Sequence, residues 1–434
     1  MLAEEILNKI ADDFDEVEVY VEESKSEEFE LKNSKEFSKG LEEKKGCGIR
    51  AVKNGKFAAG WFSGFDNPDD IVNEIKSSIE FAKDVDADIL PKEPIVFSEV
   101  KAEFKSIKSA EAEELLKETV EKIGKFDKRV KQTKSIGLGI SYKRFEVANS
   151  YGVKAEGSYS LVSAAAEVLA EDKIADLGYF HLDADRLESI DFDFLAKKSA
   201  SIAVNKLYPK PIQTKKYSVI IENSVFRDML AHFISAFSAY SVINHTTPFE
   251  GKLGEKVFSD CITIIDAKSF KNRPYALPFD HEGNRREDTV IVEDGVLKTF
   301  MHNSYTSSKL NQKNTANAKR SSLASVDVGP FNFYVKPSDL PFEKLLNMID
   351  GVYITEIMGL HMANAVSGDF SFGINGFLIH NGELVSYFKS ATFADNFYEM
   401  IKRIINVSNN LYFSGSVGSV DVAVADCVIG ESNG

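Results

Sequence analysis

The sequence predicts an α+β protein: an N-terminal mixed helix/sheet region followed by a larger, mainly antiparallel β domain, layered or barrel-like, with a few helices. Three observations predict it. The chain has 434 residues, more than one core usually holds. From Tyr217 onward, alternating apolar and polar segments dominate and crossover helices are few. Before that point helical and alternating segments share the chain, and Tyr208-Pro209-Lys210-Pro211 marks the change, because proline removes a donor and restricts its predecessor. The expected units are residues 1–88, 89–210 and 211–434, with the first two packed together.

The first unit opens on a helical stripe of Leu2, Ile6, Leu7 and Ile10. Residues 16–21 (EVEVYV) and 28–32 alternate as half-buried strands. Residues 47–52 and 56–62 flank Asn54-Gly55, a hairpin signal because both turn residues tolerate positive φ. Asp69 and Asp70 then start a helix through Ile71, Ile75 and Ile79, their charges suiting its positive end. Residues 89–106, with Pro91 and Pro94, read as a connection. In the second unit the spacing predicts a helix over 109–125 capped by Ser109, strands at 131–141 and 145–148, a strand pair over 157–170 and a helix over 192–207.

The third unit opens on a strand, 217–221, which feeds a helix over 225–240 capped by Ser224. Phe226, Leu230, Phe233 and Phe237 trace its apolar face. Strands follow at 261–266, 289–293 and 296–301, the last two joined by Asp294-Gly295. Residues 305–319 are polar and read as a surface or cleft-lining loop. A strand at 331–335, a short helix at 342–348, a helix at 395–405 and alternation over 412–424 complete the chain.

Composition narrows the function. A net charge of −15 disfavours a broad nucleic-acid footprint, which needs local positive charge. Cys47, Cys261 and Cys427 lie far apart without a CxxC pair, which fits a reducing compartment. No apolar run reaches membrane-spanning length, and the first residues lack the basic start and apolar core of a secretory signal, so cytoplasm is the expected location. Walker-type phosphate loops, Gly-x-Ser-x-Gly elbows and HExxH zinc signatures are absent from the sequence.

Chemistry concentrates in residues 351–389. There glycine-punctuated polar turns separate apolar segments, and His361, Ser367, Gly368, Asp369, Ser371 and His380 cluster. Elsewhere His232 stands alone on an apolar helix, the pattern of a packed histidine rather than a ligand. His281 and Glu282 are adjacent, and with Asp280 read as a solvated turn. An atypical hydrolase site would draw on His232, His245, His281, Glu282, His361 and Asp369, which share no diagnostic spacing.

Several separated blocks resemble the TldD/PmbA family in the right order: Gly46-Cys47-Gly48-Ile49-Arg50, Asn149-Ser150-Tyr151-Gly152, Asp280 to Gly283, and Gly359-Leu360-His361 through Gly368-Asp369-Phe370-Ser371. Gly376-Phe377-Leu378-Ile379 with Asn381-Gly382-Glu383 completes the pattern. The resemblance implies a zinc peptidase branch with an HExxxH helix and a C-terminal cysteine ligand. Laid on this chain, the HExxxH positions fall on Ala231, His232 and Ala236, and the third ligand position falls near Val420. Methyl groups offer no lone pairs to zinc.

The chain therefore resembles the PmbA/TldE branch. That branch implies no cofactor bound by this chain alone, with zinc only in a TldD-type metallopeptidase subunit as its partner. Unfolded or flexible peptide is the implied substrate, and a homodimer is an alternative when the chain is isolated. His361, Ser367, Gly368, Asp369 and Ser371 become candidates for a peptide cleft. Two other readings stand beside this one: an independent hydrolase, and an interaction module linked to DNA gyrase modulation without direct nucleic-acid binding. No membrane association is expected.

Overall fold

The computed structural model describes residues 1–64, 68–100 and 102–431. The expected fold class holds: a mixed helix/sheet N-terminal region precedes a larger, mainly antiparallel β region. In the N-terminal half, strands from both sides of residue 89 join one twisted sheet. Its order is Lys56–Ser63, Glu36–Lys53, Glu16–Lys32, Val130–Asn149 and Lys154–Glu171. Val96–Val100 and Ala175–Ala184 share the outer edge of the last strand, the first parallel and the second antiparallel.

Alternation decides what each face covers. Val17, Val19, Val21, Phe29 and Leu31 point one way, under the helices Leu2–Ile10, Pro68–Ile79, Ser109–Phe126 and Phe192–Asn205. Glu18 and Tyr20 point the other way and are equally buried, because the C-terminal half covers that face.

In the C-terminal half, Glu383–Asn396, Asp369–His380, Gly351–Met358, Lys215–Ile221 and Val422–Gly430 pair in that order. The last also pairs with the first through Thr392 and Gly430, so the five strands close into a barrel. All pairs are antiparallel except Gly351–Met358 with Lys215–Ile221. Closure removes the exposed edges that an open sheet would present. Val219, Ile221, Val352, Ile354, Val422 and Val424 enter the main core, together with Phe226, Leu230 and Phe233 of the helix Asn223–His232 and its end. A second sheet runs from Val296–Leu297 through Thr289–Glu293, Ile264–Asp266, Phe333–Val335 and Val417–Ser419 to Tyr412–Ser414.

Several elements differ from the sequence pattern. The helix expected over 225–240 breaks into Asn223–His232, a 3-10 turn Ile234–Phe237 and a short helix Ala239–Ile243. Ser238 is extended and accepts from the Tyr240 amide, which restarts the helix and competes with its continuation. Residues 131–141 and 145–148 form one strand, Val130–Asn149, and the strand pair expected over 157–170 is one strand, Lys154–Glu171. The connection 89–106 contains the strand Val96–Val100, and its Lys101 lies outside the described residues.

The expected loop 305–319 begins as a helix, Ser304–Leu310, started by a capping box between Asn303 and Thr306. The helix expected over 395–405 is a strand end, a turn of helix Phe397–Met400, a 3-10 turn and the strand Ile404–Val407. The expected caps Ser109 and Ser224 make no capping bond. Lys108 and Glu222 hold those positions, and an Asp421 oxygen accepts from the Asn223 amide at 2.6 Å instead.

Candidate functional site

The helix Asn223–His232 ends against a loop that leaves the barrel strand Gly351–Met358. Ala231 packs partly buried against the core, Ala236 is buried on the following 3-10 turn, and Val420 is fully buried between two strands. His232 Nε2 lies 3.0 Å from the Ala363 carbonyl oxygen, so its ring ties the helix end to the loop. These four residues do not fit a zinc ion. Three offer only carbon, and the one imidazole nitrogen facing the loop is already held. Among the described residues, no three His, Cys, Asp or Glu side chains converge as metal ligands.

The loop is built on its own hydrogen bonds. The Asn364 side-chain oxygen accepts from the Val366 and Ser367 amides at 2.9 and 3.1 Å. The Gly368 amide donates to the Asn364 carbonyl, and the Gly368 carbonyl accepts from the Phe397 amide, both at 2.8 Å. Gly368 has φ +88°, which glycine adopts without strain. Ser367 Oγ donates to Asp369 at 2.8 Å, and Asn396 Nδ2 donates to the other Asp369 oxygen at 2.9 Å. These bonds hold the Asp369 carboxyl below its ordinary value, Asn396 contributing most.

The structure brings part of the sequence candidates together. Ser367, Gly368 and Asp369 form one turn, Ser371 is exposed on the strand that follows, and His361 is exposed on the 3-10 turn Leu360–Met362. His380 sits at the far end of that strand.

The strand Asp369–His380 pairs with Glu383–Asn396 over its whole length, but with Gly351–Met358 only from Gly373 onward. Among the described residues, no strand pairs with the other side of residues 369–372, which face the loop, where the Asp369 carbonyl accepts from the Asn364 amide. An open strand edge offers main-chain groups to an extended peptide. Met358, Met362 and Val366 are exposed beside it, Met362 at 70%. The sequence reading missed these three. Apolar residues within a glycine- and asparagine-punctuated loop were the available signal.

The solvated turn expected at Asp280, His281 and Glu282 is instead fully buried where the two halves meet. Glu18 accepts from Arg50 Nε and Nη2 at 2.9 and 2.8 Å, and Arg50 Nη2 also reaches Glu282 at 2.9 Å. Arg320 pairs with Glu18 and lies 4.2 Å over the Tyr20 ring. Burial alone would push the Glu18 carboxyl up, but Arg320 and Arg50 together outweigh it and hold the carboxyl low. Asp280 moves the other way, raised by burial and by the Glu282 charge. His281 Nδ1 accepts from the Arg320 amide at 3.0 Å, and its ring meets the edge of Phe145. The turn is buried with Arg50 and the Ser304 amide bonding Glu282 and the Ala318 amide bonding Asp280, all from elsewhere in the chain, a match that its local sequence does not display.

Beside Val420, burial pushes the Asp421 carboxyl up to about 7. Glu222 adds to this, against the hydrogen bonds from Asn410 and Asn223. An unfolded aspartate titrates at about 3.9. The folded form therefore holds a proton that the unfolded form lacks between those values. Stability from this group is present at low pH and lost as pH rises through about 7. Acidification from pH ~8 to ~5 is expected to favour wild type over Asp421→Asn, by at most about 1.4 kcal/mol for each pH step of one. Thermal midpoints of both proteins across that range check this, and a constant gap would contradict it.

Three family models cover nearly all of the chain. The PmbA/TldA metallopeptidase domain 1 matches residues 17–85, the central domain 102–207 and the C-terminal domain 214–431. The chain belongs to the PmbA/TldD family. Its relatives include a metalloprotease PmbA of Escherichia coli, 27% identical over 288 residues, which are 66% of this chain and 62% of that protein. A solved putative modulator of a DNA gyrase from Thermotoga maritima superposes with TM-score 0.90 at 26% identity, covering 99% of both chains. TldE from Thermococcus kodakarensis shares the fold with TM-score 0.89 at 19% identity, over 99% of this chain and 100% of that one. Among the described residues of this PmbA/TldD-family chain, no helix is long and apolar enough to cross a membrane.

Proposed function

We propose that this chain is the non-catalytic, PmbA/TldE-like subunit of a TldD-type zinc metallopeptidase pair, completing a cleft for unfolded or flexible peptides. One observation carries the reading. Where the family's zinc helix would place its ligands, this chain has Ala231 and Ala236, and His232 is tied to a loop that borders an open strand edge. The metal chemistry is gone while a surface suited to peptide main chain remains. In this reading residues 369–372 pair with an extended peptide. Met358, Met362 and Val366 give its side chains adaptable apolar contact, since methionine accommodates varied shapes. Bond cleavage belongs to the partner subunit.

The test is purification of this chain alone and together with a TldD-type subunit, with zinc content and peptide hydrolysis measured on the same fractions. Zinc is expected to follow the partner, and hydrolysis to need both chains. Stoichiometric zinc in this chain alone, or hydrolysis by it alone, would overturn the proposal.

A further inference from the structure

The N-terminal sheet ends on a long edge. The strand Glu36–Lys53 pairs with Glu16–Lys32 from Glu36 to Val52, but with Lys56–Ser63 only from Gly46 onward. On that outer side the Lys45 carbonyl accepts from the Gly64 amide at 2.9 Å. The pairing with Glu16–Lys32 runs without a register shift, so alternation turns the amides and carbonyls of Lys39, Leu41 and Glu43 outward as well. Among the described residues, no strand pairs with them. Both faces of the strand are open here: residues 38–45 are exposed, Leu41 at 63%.

Such an edge is a template for another strand, and its side chains select which one. Lys39, Leu41 and Glu43 share one face. In an antiparallel pair with a two-fold axis at Leu41, leucine meets leucine and Lys39 meets Glu43 on both sides of the axis. Lys39 already holds the buried Glu27 at 2.9 Å, and Glu43 holds Lys25 at 3.1 Å. Charges across the joined strands would then alternate in sign as Glu27, Lys39, Glu43 and Lys25. Neighbouring registers lack this match. An axis at Lys39 or Glu43 sets that residue against its own charge, an axis at Glu42 sets Lys39 against Lys45, and an axis at Gly40 sets Leu41 against Lys39. Lysine on an edge ordinarily deters pairing, but in the one matched register it attracts.

We propose that residues 39–43 form a self-association edge, which pairs antiparallel with the same residues of a second copy of this chain about an axis at Leu41. The outward amides and carbonyls of Lys39, Leu41 and Glu43 all find partners, and the two N-terminal sheets run on as one. This surface is separate from the strand edge at residues 369–372, and the proposal rests neither on peptide binding there nor on a zinc subunit.

Sedimentation velocity of the full chain by itself tests it. A concentration-dependent dimer is expected below about 100 µM, because a short strand pair makes a small contact. Leu41→Asp sets two carboxylates on the axis, and Leu41→Pro removes an outward amide but no internal bond. Each should weaken the dimer about tenfold or more while the thermal midpoint stays unchanged. Leu41→Cys should form an intermolecular disulfide on mild oxidation, since the Cα atoms of a hydrogen-bonded pair lie about 5.5 Å apart. Ser38→Cys, which would face Lys44 of the second copy, should not. A chain that stays monomeric at about 100 µM, a dimer that keeps its affinity in either Leu41 variant, or equal cross-linking at positions 38 and 41 would overturn the proposal. A monomer that needs Leu41 only to retain a TldD-type subunit would assign the edge to that subunit and overturn it equally.

Discussion

Replacing Arg50 with methionine is expected to lower stability by about 3–5 kcal/mol, the cost of leaving buried charge without its partner. Arg50 is the hinge of the buried cluster: it bonds Glu18 with two nitrogens and Glu282 with one of them, and neither carboxylate reaches water. Arg320 would remain on Glu18, but among the described residues Glu282 would keep only the Ser304 amide and a longer bond from Asn284. Lysine at position 50 should recover only part of the loss, because one ammonium lacks the planar fork that serves two carboxylates. Thermal and urea unfolding check the prediction. A loss below about 1 kcal/mol would place the cluster with surface ion pairs, which contribute little. The cluster joins strands of the N-terminal sheet to the C-terminal half, so its failure should loosen how the halves are held together.

Gly368→Val is expected to reduce peptide hydrolysis by the reconstituted pair about tenfold or more, while zinc stays with the partner. Two physical effects combine. A β-branched residue at φ +88° is strained by about 1–3 kcal/mol. A Cβ there would also lie 2.4 Å from the Tyr398 ring and 2.8 Å from Asn396 Oδ1. Relief requires the turn to move, which breaks its bonds to Asn364 and Phe397 and frees Asp369 from Asn396. Gly368→Ala meets the same backbone strain with less bulk and should fall between. Steady-state kinetics separate the outcomes. Lost peptide positioning shows as a fall in kcat/KM carried mainly by KM, and unchanged kinetics would deny the loop a role.

Local pattern made much of this protein legible. The hairpin at Asn54-Gly55 follows from two residues that accept positive φ. The turn at Ser367-Gly368-Asp369 and the strands beside it follow from glycine and alternation. That Ala231, Ala236 and Val420 cannot ligate zinc needs no coordinates, because no packing gives a methyl group a lone pair. Helix ends were less legible. Asp421, distant in sequence, bonds the Asn223 amide, and Ser238 restarts a helix that apolar spacing alone would continue.

Burial of charge was illegible for a different reason. Glu18 reads as the polar face of a half-exposed strand, and Asp280 to Glu282 as a wet turn, because each segment by itself shows only polarity. Whether such groups face water depends on what arrives from elsewhere in the chain. Here it is Arg50 from the neighbouring strand, Arg320 from the C-terminal half, and the rest of that half laid on the sheet. Barrel closure belongs to the same class, since the Thr392 pairing with Gly430 joins strands whose own sequences specify alternation but no partner. The sequence by itself determined much of the strand and turn pattern and the inability of Ala231, Ala236 and Val420 to ligate zinc, which rest on the intrinsic properties of single residues and short spacings. Tertiary structure alone decided which polar groups are dry and which strand edge stays open, because both depend on long-range pairing that no local pattern encodes.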